Sequence, residues 1–145
     1  MQAGVIKVGT WGGNRRSHWD MGPASRITKV QINAGLIVDS IKVWYVVDGK
    51  SYATSRHGGS GGNPHEFHLQ EREYINRMSG HVKDFCGTPC VSQLTFATNL
   101  GKKHGPFGHS GGVPFSVPVA EGRIIGFFGN AEKYLNAIGI YLKPN

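Results

Sequence analysis

The sequence lacks any long apolar run and has few acidic residues. No stretch of its 145 residues approaches the roughly 18 consecutive apolar side chains that cross a bilayer, so we expect no membrane insertion. Residues 1–7 lack the apolar centre of a signal peptide and read as a short strand, which favours a cytoplasmic protein. Nine acidic residues stand against 16 Lys and Arg, for a formal net charge of +7.

This basic excess is not concentrated on one segment. The only adjacent basic pairs are Arg15-Arg16 and Lys102-Lys103. A nucleic-acid surface is usually marked by clustered Lys and Arg, so we expect no nucleic-acid partner.

Cysteine is scarce as well. Cys86 and Cys90 flank Gly87-Thr88-Pro89. A structural zinc site usually needs four ligands, so this pair predicts no metal site. A short-loop disulfide is sterically allowed, but a cytosolic setting argues against it, and we expect two reduced thiols.

Glycine and proline are abundant, at 22 and seven residues. That is about 20% of the chain, against roughly 12% in average proteins, and it favours many short strands joined by tight turns. We therefore expect a single all-β domain over residues 1–145, with Asp48-Gly49 as one tight turn. Alternating or compact apolar runs predict strands at 28–34, 41–47, 51–55, 91–98, 124–128 and 137–142.

The segment 67–78 is ambiguous. Its apolar residues fit a helical stripe moderately well, and it contains neither Gly nor Pro. The all-β context favours strands instead, and both interpretations stay open on local pattern.

No catalytic motif is complete. His65-Glu66-Phe67-His68 does not have the spacing of a zinc protease, and Gly58 to Gly62 lacks the Gly-Lys-Ser/Thr ending of a phosphate loop. No Ser lies in a nucleophile elbow. We expect no enzyme, no cofactor and no metal.

A five-residue pattern instead recurs at intervals of about fifty residues, as in proteins built of similar units. Its copies are Gly35-Leu36-Ile37-Val38-Asp39, Gly80-His81-Val82-Lys83-Asp84 and the altered Glu132-Lys133-Tyr134-Leu135-Asn136. A second series has a similar period: Gly61-Gly62, Gly111-Gly112, and Gly12-Gly13 followed by Asn14-Arg15-Arg16.

This pairing suits a sugar. A carboxylate accepts hydrogen bonds from two vicinal hydroxyls, while the N–H groups of a turn donate to other oxygens. A facing glycine lets backbone approach the ligand closely. The alternative is that each Asp only bonds its own turn, which is the better explanation of a single copy. The doubled pattern favours carbohydrate binding.

The chain also resembles the jacalin-related lectins, and specifically their mannose-binding members, over essentially its whole length. The shared motifs are Ile6-Lys7-Val8-Gly9 with Trp11-Gly12-Gly13-Asn14, Asp20-Met21-Gly22-Pro23-Ala24, Gly58 to Gly62 before Pro64-His65-Glu66, Leu69-Gln70-Glu71, Gly105-Pro106-Phe107-Gly108, Gly111-Gly112 before Pro114-Phe115-Ser116, and Gly126-Phe127-Phe128-Gly129 before Ala137-Ile138-Gly139.

The resemblance implies a β-prism of three four-stranded Greek-key sheets with pseudo-threefold symmetry, in which 67–78 is strand, turn and strand. It also implies that a Gly-x-x-x-Asp loop binds mannose or glucose, with the carboxylate taking the 4- and 6-hydroxyls. The N–H groups of the first two x residues meet the ring and 6-position oxygens. Two sites then follow: Gly35, Leu36, Ile37 and Asp39 with Gly61 and Gly62, and His81, Val82 and Asp84 with Gly111 and Gly112.

The third site departs from the family pattern. Asn136 replaces the Asp, Glu132 replaces the motif Gly, and Arg15-Arg16 replace the facing Gly pair. We expect a lost or altered site formed by Arg16, Lys133, Tyr134 and Asn136, with Arg16 and Glu132 facing each other.

The resemblance implies glycans and glycoproteins containing mannose or glucose as partners, and a homo-oligomer, either a dimer or a tetramer. The alternative function is a non-enzymatic protein-interaction prism whose sugar sites have degenerated. Retention on mannose-agarose, released by free methyl mannoside, separates the two.

Overall fold

The computed structural model describes residues 4–119 and 121–145. Residues 1–3 of the predicted N-terminal strand lie outside that range. The strands are β1 (Ile6–Gly12), β2 (His18–Asp20), β3 (Arg26–Ala34), β4 (Val38–Val47), β5 (Lys50–Ala53), β6 (His57–Gly58), β7 (Asn63–His68), β8 (Ile75–Phe85), β9 (Thr88–Thr98), β10 (Lys103–Gly108), β11 (Val113–Pro118), β12 (Gly122–Ala131) and β13 (Leu135–Pro144). None of the described residues forms a helix long and apolar enough to cross a membrane.

The strands form three antiparallel groups. One has the order β1-β13-β12-β2, the second β10-β9-β8-β11, and the third β7-β3-β4, with both β5 and β6 along β4. A single backbone pair, Ile124 with Ile75, joins the first two groups into one eight-stranded sheet, and the third group is a separate five-stranded sheet. The expected all-β prism is confirmed.

The inner faces of the three groups share one apolar core. On β3 the alternation places Val30, Ile32 and Ala34 inside, as predicted. Phe96 and Phe127, from two different groups, meet edge to face with ring centroids 6.0 Å apart. Each large apolar side chain buried in this way contributes about 1.5–3 kcal/mol of burial free energy, so the core fixes the three groups against one another.

The ambiguous segment 67–78 is strand, turn and strand. β7 ends at His68 and β8 begins at Ile75. Between them the carboxylate of Glu73 accepts from the Gln70 N–H at 2.9 Å, and the Glu73 N–H donates to the Gln70 carbonyl at 3.0 Å. Glu73 is buried and also accepts from the Thr98 hydroxyl at 2.7 Å. This tertiary contact holds the turn between the two strands, so the helix that local pattern allowed for 67–78 does not form.

Two hairpins turn in two residues. Asp48-Gly49, predicted as a tight turn, has φ of 49° and 80°, and Cys86-Gly87 has φ of 52° and 79°. The second hairpin joins β8 to β9, with Phe85 paired to Thr88. It leaves Cys86 exposed and Cys90 buried, both as free thiols.

One backbone contact occurs three times and relates the three groups. The Gly59 N–H donates to the Asp39 carbonyl at 2.9 Å, the Gly13 N–H to the Asn136 carbonyl at 2.9 Å, and the His109 N–H to the Ser92 carbonyl at 3.0 Å. Asp39, Asn136 and Ser92 are therefore equivalent positions. Each of them lies beside a glycine-containing loop of its own group.

Candidate functional site

The turn between β3 and β4 has an unusual supply of free donors. The Gly35 N–H donates to the Ile37 carbonyl at 3.0 Å, which closes the turn. The N–H groups of Leu36 and Ile37 donate to no acceptor among the described residues. The Ile37 side chain is buried in the core and anchors the turn, whereas Leu36 is 65% exposed. Two free N–H donors and an exposed apolar side chain thus lie together on the β3–β4 turn.

The Asp39 carboxylate faces the glycine loop that precedes β7. A Cβ atom at Gly61 would lie 2.8 Å from Asp39 Oδ1, and one at Gly62 would lie 2.5 Å from Oδ2. Gly62 also has a φ of +75°, which L side chains rarely adopt. At Gly62 a Cβ would also lie 2.8 Å from the Ala34 backbone, so glycine is required there, whereas at Gly61 a Cβ would displace the Asp39 carboxylate. The predicted residues Gly35, Leu36, Ile37, Asp39, Gly61 and Gly62 are therefore brought together in one place.

Asp39 has no partner for its charge. Its carboxylate makes no hydrogen bond or ion pair within residues 4–119 and 121–145. Partial burial removes water and raises the pKa of this carboxyl above its ordinary value of 3.8. A desolvated acceptor without a protein donor is suited to a ligand that supplies hydroxyl donors.

The turn between β12 and β13 repeats the same backbone. The Glu132 N–H donates to the Tyr134 carbonyl at 3.1 Å, as Gly35 does to Ile37. The N–H groups of Lys133 and Tyr134 likewise lack acceptors in the described parts of the chain. The predicted third turn therefore forms, although Glu132 stands where glycine was expected.

Asn136 does not replace the carboxylate of Asp39. It is fully buried, and its Oδ1 accepts from the Glu132 N–H at 2.9 Å. Its Nδ2 donates to the Pro89 carbonyl at 2.9 Å. The amide therefore holds the turn and joins it to the start of β9, and no carboxylate is offered to a ligand at this position.

The expected pairing of Arg16 with Glu132 is wrong, because Arg15 makes that contact. Arg15 Nε donates to Glu132 Oε1 at 3.0 Å, and both side chains are about 40% exposed. Arg16 is equivalent to Gly62 but lacks its positive φ, so the first glycine loop takes a different path there. Arg16 is exposed and accepts from the His18 N–H through its carbonyl.

A cleft of about 410 Å³ lies beside this turn, and it includes a wall that the sequence did not predict. The tip of the β8–β9 hairpin forms that wall. The lining residues are Arg15, Cys86, Thr88, Glu132, Lys133, Tyr134 and Asn136. Next to the cleft, the Phe85 ring meets the Tyr134 ring edge on, with centroids 5.4 Å apart.

The predicted turn at Gly80–Asp84 is wrong. The whole segment lies inside β8 and pairs with β9, and its first three residues also pair with β11. The backbone of His81 and Val82 pairs with both neighbouring strands, and the His81 ring bonds Gln93 Oε1 at 3.1 Å. Gly111 and Gly112 do lie beside this strand, but a Cβ at either would meet Lys83 or Val82 and not Asp84.

In the second group, β10-β9-β8-β11, the position equivalent to Asp39 is Ser92. Its side chain is buried, and its hydroxyl has no hydrogen-bond partner among the described atoms. A signal was present in the sequence, since Gly12, Gly58 and Gly108 have the spacing of the repeat. A Cβ at each would overlap the carbonyl of Asn136, Asp39 or Ser92. The second group therefore offers no carboxylate at the equivalent position. The described residues also contain no cluster of His, Cys, Asp and Glu that could hold a metal.

Comparison with known proteins identifies the family of the chain. The model of the Jacalin-like lectin domain matches residues 8–141. Jacalin-related lectin 3 of Arabidopsis thaliana is 36% identical over 146 residues, which cover 94% of this chain. The chain spans only 23% of the length of that relative.

Two solved structures match along their full length. Wild-type Malaysian banana lectin is 52% identical with a TM-score of 0.93, covering 98% of this chain and 100% of the other. AcmJRL, a mannose-binding jacalin-related lectin from Ananas comosus, is 39% identical with a TM-score of 0.93, covering 99% and 100%. The chain therefore belongs to the jacalin-like lectin family, whose members are carbohydrate-binding proteins and not enzymes.

Proposed function

We propose that this chain is a lectin that binds mannose- or glucose-type glycans, without catalysis, at the site formed by Asp39, its turn and the facing glycine loop. The observation that carries the proposal is the Asp39 carboxylate. It lies against two glycines that leave room for a ligand and has no donor of its own among the described residues.

The chemistry of the site matches a pyranose. The carboxylate accepts from two vicinal hydroxyls, and the N–H groups of Leu36 and Ile37 donate to oxygens of the same sugar. The exposed Leu36 side chain offers an apolar contact for the C–H groups of a ring or of a neighbouring residue in the glycan. The mannose binding named for the relative from Ananas comosus supports the same substrate class.

The test compares two carboxylates by calorimetric titration with methyl α-mannoside. Asp39→Asn removes the proposed acceptor, and Asp84→Asn changes a carboxylate that lies in a strand. A hydrogen bond to a charged group is worth about 1.5–3 kcal/mol, so Asp39→Asn is expected to weaken binding at least tenfold. Asp84→Asn is expected to bind as the parent does. Undiminished binding by Asp39→Asn would overturn the proposal.

The glycoprotein partners, the dimer or tetramer and the cytoplasmic location stay predictions. Light scattering after gel filtration measures the oligomer. Mannose-agarose retention with elution by free methyl mannoside tests the lectin activity against the alternative of a pure protein-interaction domain.

A further inference from the structure

The cleft at the β12–β13 turn has the same backbone as the turn before Asp39 but a different charge. The N–H groups of Lys133 and Tyr134 remain free, as those of Leu36 and Ile37 do in the other site. In place of a free carboxylate the cleft has a buried amide, both ends of which are occupied. The change therefore removes an acceptor and keeps the donors.

Cationic side chains add further donors. Arg15 and Lys133 line the cleft, and the Thr88 hydroxyl joins them from the hairpin. Arg15 donates to Glu132 through Nε, so the two terminal nitrogens of its guanidinium have no partner among the described residues. Lys133 is exposed and makes no ion pair there.

The charges do not cancel. Glu132, the one carboxylate that lines the cleft, is paired with Arg15, so the positive charge of Lys133 is not neutralised. Arg16, which follows Arg15 in the chain, adds another positive charge. The hairpin contributes Lys83 and Asp84, one charge of each sign. A neutral hexose, which needs acceptors for its hydroxyls, fits this donor-rich cleft poorly, whereas an anion fits it well.

The cleft also has features that a bare ion does not need. Its volume of about 410 Å³ is in the range of small-molecule sites. The Tyr134 side chain forms one wall, and the edge contact with Phe85 holds its ring. An aromatic wall packs against the C–H face of a sugar ring, while the N–H pair beside it donates to ring substituents.

We propose that this cleft is a second binding site, specific for a hexose that carries a carboxylate, that is, a uronic acid. The carboxylate takes the donors of Arg15 and Lys133, and the ring lies against Tyr134. The site is independent of Asp39, so the chain has two saccharide sites of opposite electrostatic preference.

The probes are methyl glucuronide, methyl α-mannoside and inorganic phosphate, each titrated into the full chain. We expect the parent to bind glucuronide with an affinity that falls as salt rises, because surface charges are screened. Asp39→Asn should lose mannoside binding and keep glucuronide binding. This variant therefore distinguishes a failure of the cleft as a glucuronide site from a failure of Asp39 as a mannoside site.

Three variants test the residues themselves. Arg15→Gln with Lys133→Gln should weaken glucuronide binding at least tenfold and leave mannoside binding unchanged. If the double variant is unstable, Lys133→Gln alone serves instead, since Lys133 is exposed, and it should also weaken glucuronide binding. Glu132→Gln releases Arg15 and removes the negative charge, so it should strengthen glucuronide binding severalfold, which a merely structural role would not do.

Each contrary result is decisive. The proposal is overturned if the parent does not bind glucuronide. It is also overturned if Asp39→Asn loses glucuronide binding as well as mannoside binding. Phosphate that binds as tightly as glucuronide would show an anion site without sugar specificity, which also overturns it.

Discussion

Asn136 Nδ2 lies 2.9 Å from the Pro89 carbonyl oxygen, so one buried amide joins the β12–β13 turn to the β8–β9 hairpin. The equivalent Asp39 makes no such bond and presents its carboxylate to the facing glycine loop. The side chain at the same backbone position is held by two hydrogen bonds in one group and has no partner among the described residues in another.

Asn136→Asp is therefore expected to destabilise the fold without creating a mannose site. The carboxylate cannot donate to Pro89, and it would place a charge at a fully buried position against a carbonyl oxygen. An unsatisfied buried group costs about 1–3 kcal/mol, and a charge costs more. Chemical denaturation measures the loss, with the exposed Asn145→Asp as control. A stable variant that gains one mannoside per chain would contradict this account.

Gly62→Ala is expected to abolish mannoside binding. Its Cβ would lie 2.5 Å from Asp39 Oδ2 and 2.8 Å from the Ala34 backbone, at a φ of +75°. The matched control is Gly49→Ala, with a φ of +80° and open space around the new Cβ. Both variants carry backbone strain of about 1–2 kcal/mol, but only the first fills the site. Equal mannoside affinity in the two variants would show that Gly62 does not border the sugar.

Mannoside affinity is expected to fall in acid. Burial raises the pKa of Asp39 above 3.8, and only the ionised form accepts from two hydroxyls. Binding should be complete near neutral pH and disappear as the pH falls through that raised pKa. Titrations from pH 7 downward test this, and affinity that stays constant well below pH 3.8 would contradict it.

The same shift has a consequence for stability. A carboxyl whose pKa is raised in the folded state binds protons more readily there than in the unfolded chain, so its ionisation opposes folding above that pKa. Asp39→Asn should therefore melt no lower than the parent at neutral pH, although it loses the ligand.

The two thiols are expected to differ sharply in reactivity. Burial raises the pKa of Cys90 to about 11, while Cys86 is exposed at the hairpin tip. The thiolate is the reactive form, so at pH 8 a disulfide reagent should label one thiol per native chain and two after denaturation. Cys86→Ser should leave no labelled thiol in the native chain. Two fast thiols in the native parent would show that β9 opens readily.

Much of the architecture could be predicted from local pattern. The alternation of β3, the Asp48-Gly49 turn and the Gly35–Asp39 turn each depend on neighbouring residues, and all three lie where expected. Gly62, which faces Asp39, could also be found, because its close approach to the Ala34 backbone excludes other side chains and leaves glycine in the sequence.

The sequence by itself therefore determined the all-β class, several of the strands and the family, and it identified the residues that meet around Asp39. Only the tertiary structure decided that Ser92, and not Asp84, is the equivalent residue in the second group, because strand register depends on how β8 pairs with β9 and β11. It also decided that Arg15 pairs with Glu132 and that the β8–β9 hairpin forms one wall of the cleft at the β12–β13 turn. These contacts join residues far apart in the chain, and their geometry is set by how the three groups pack around one core.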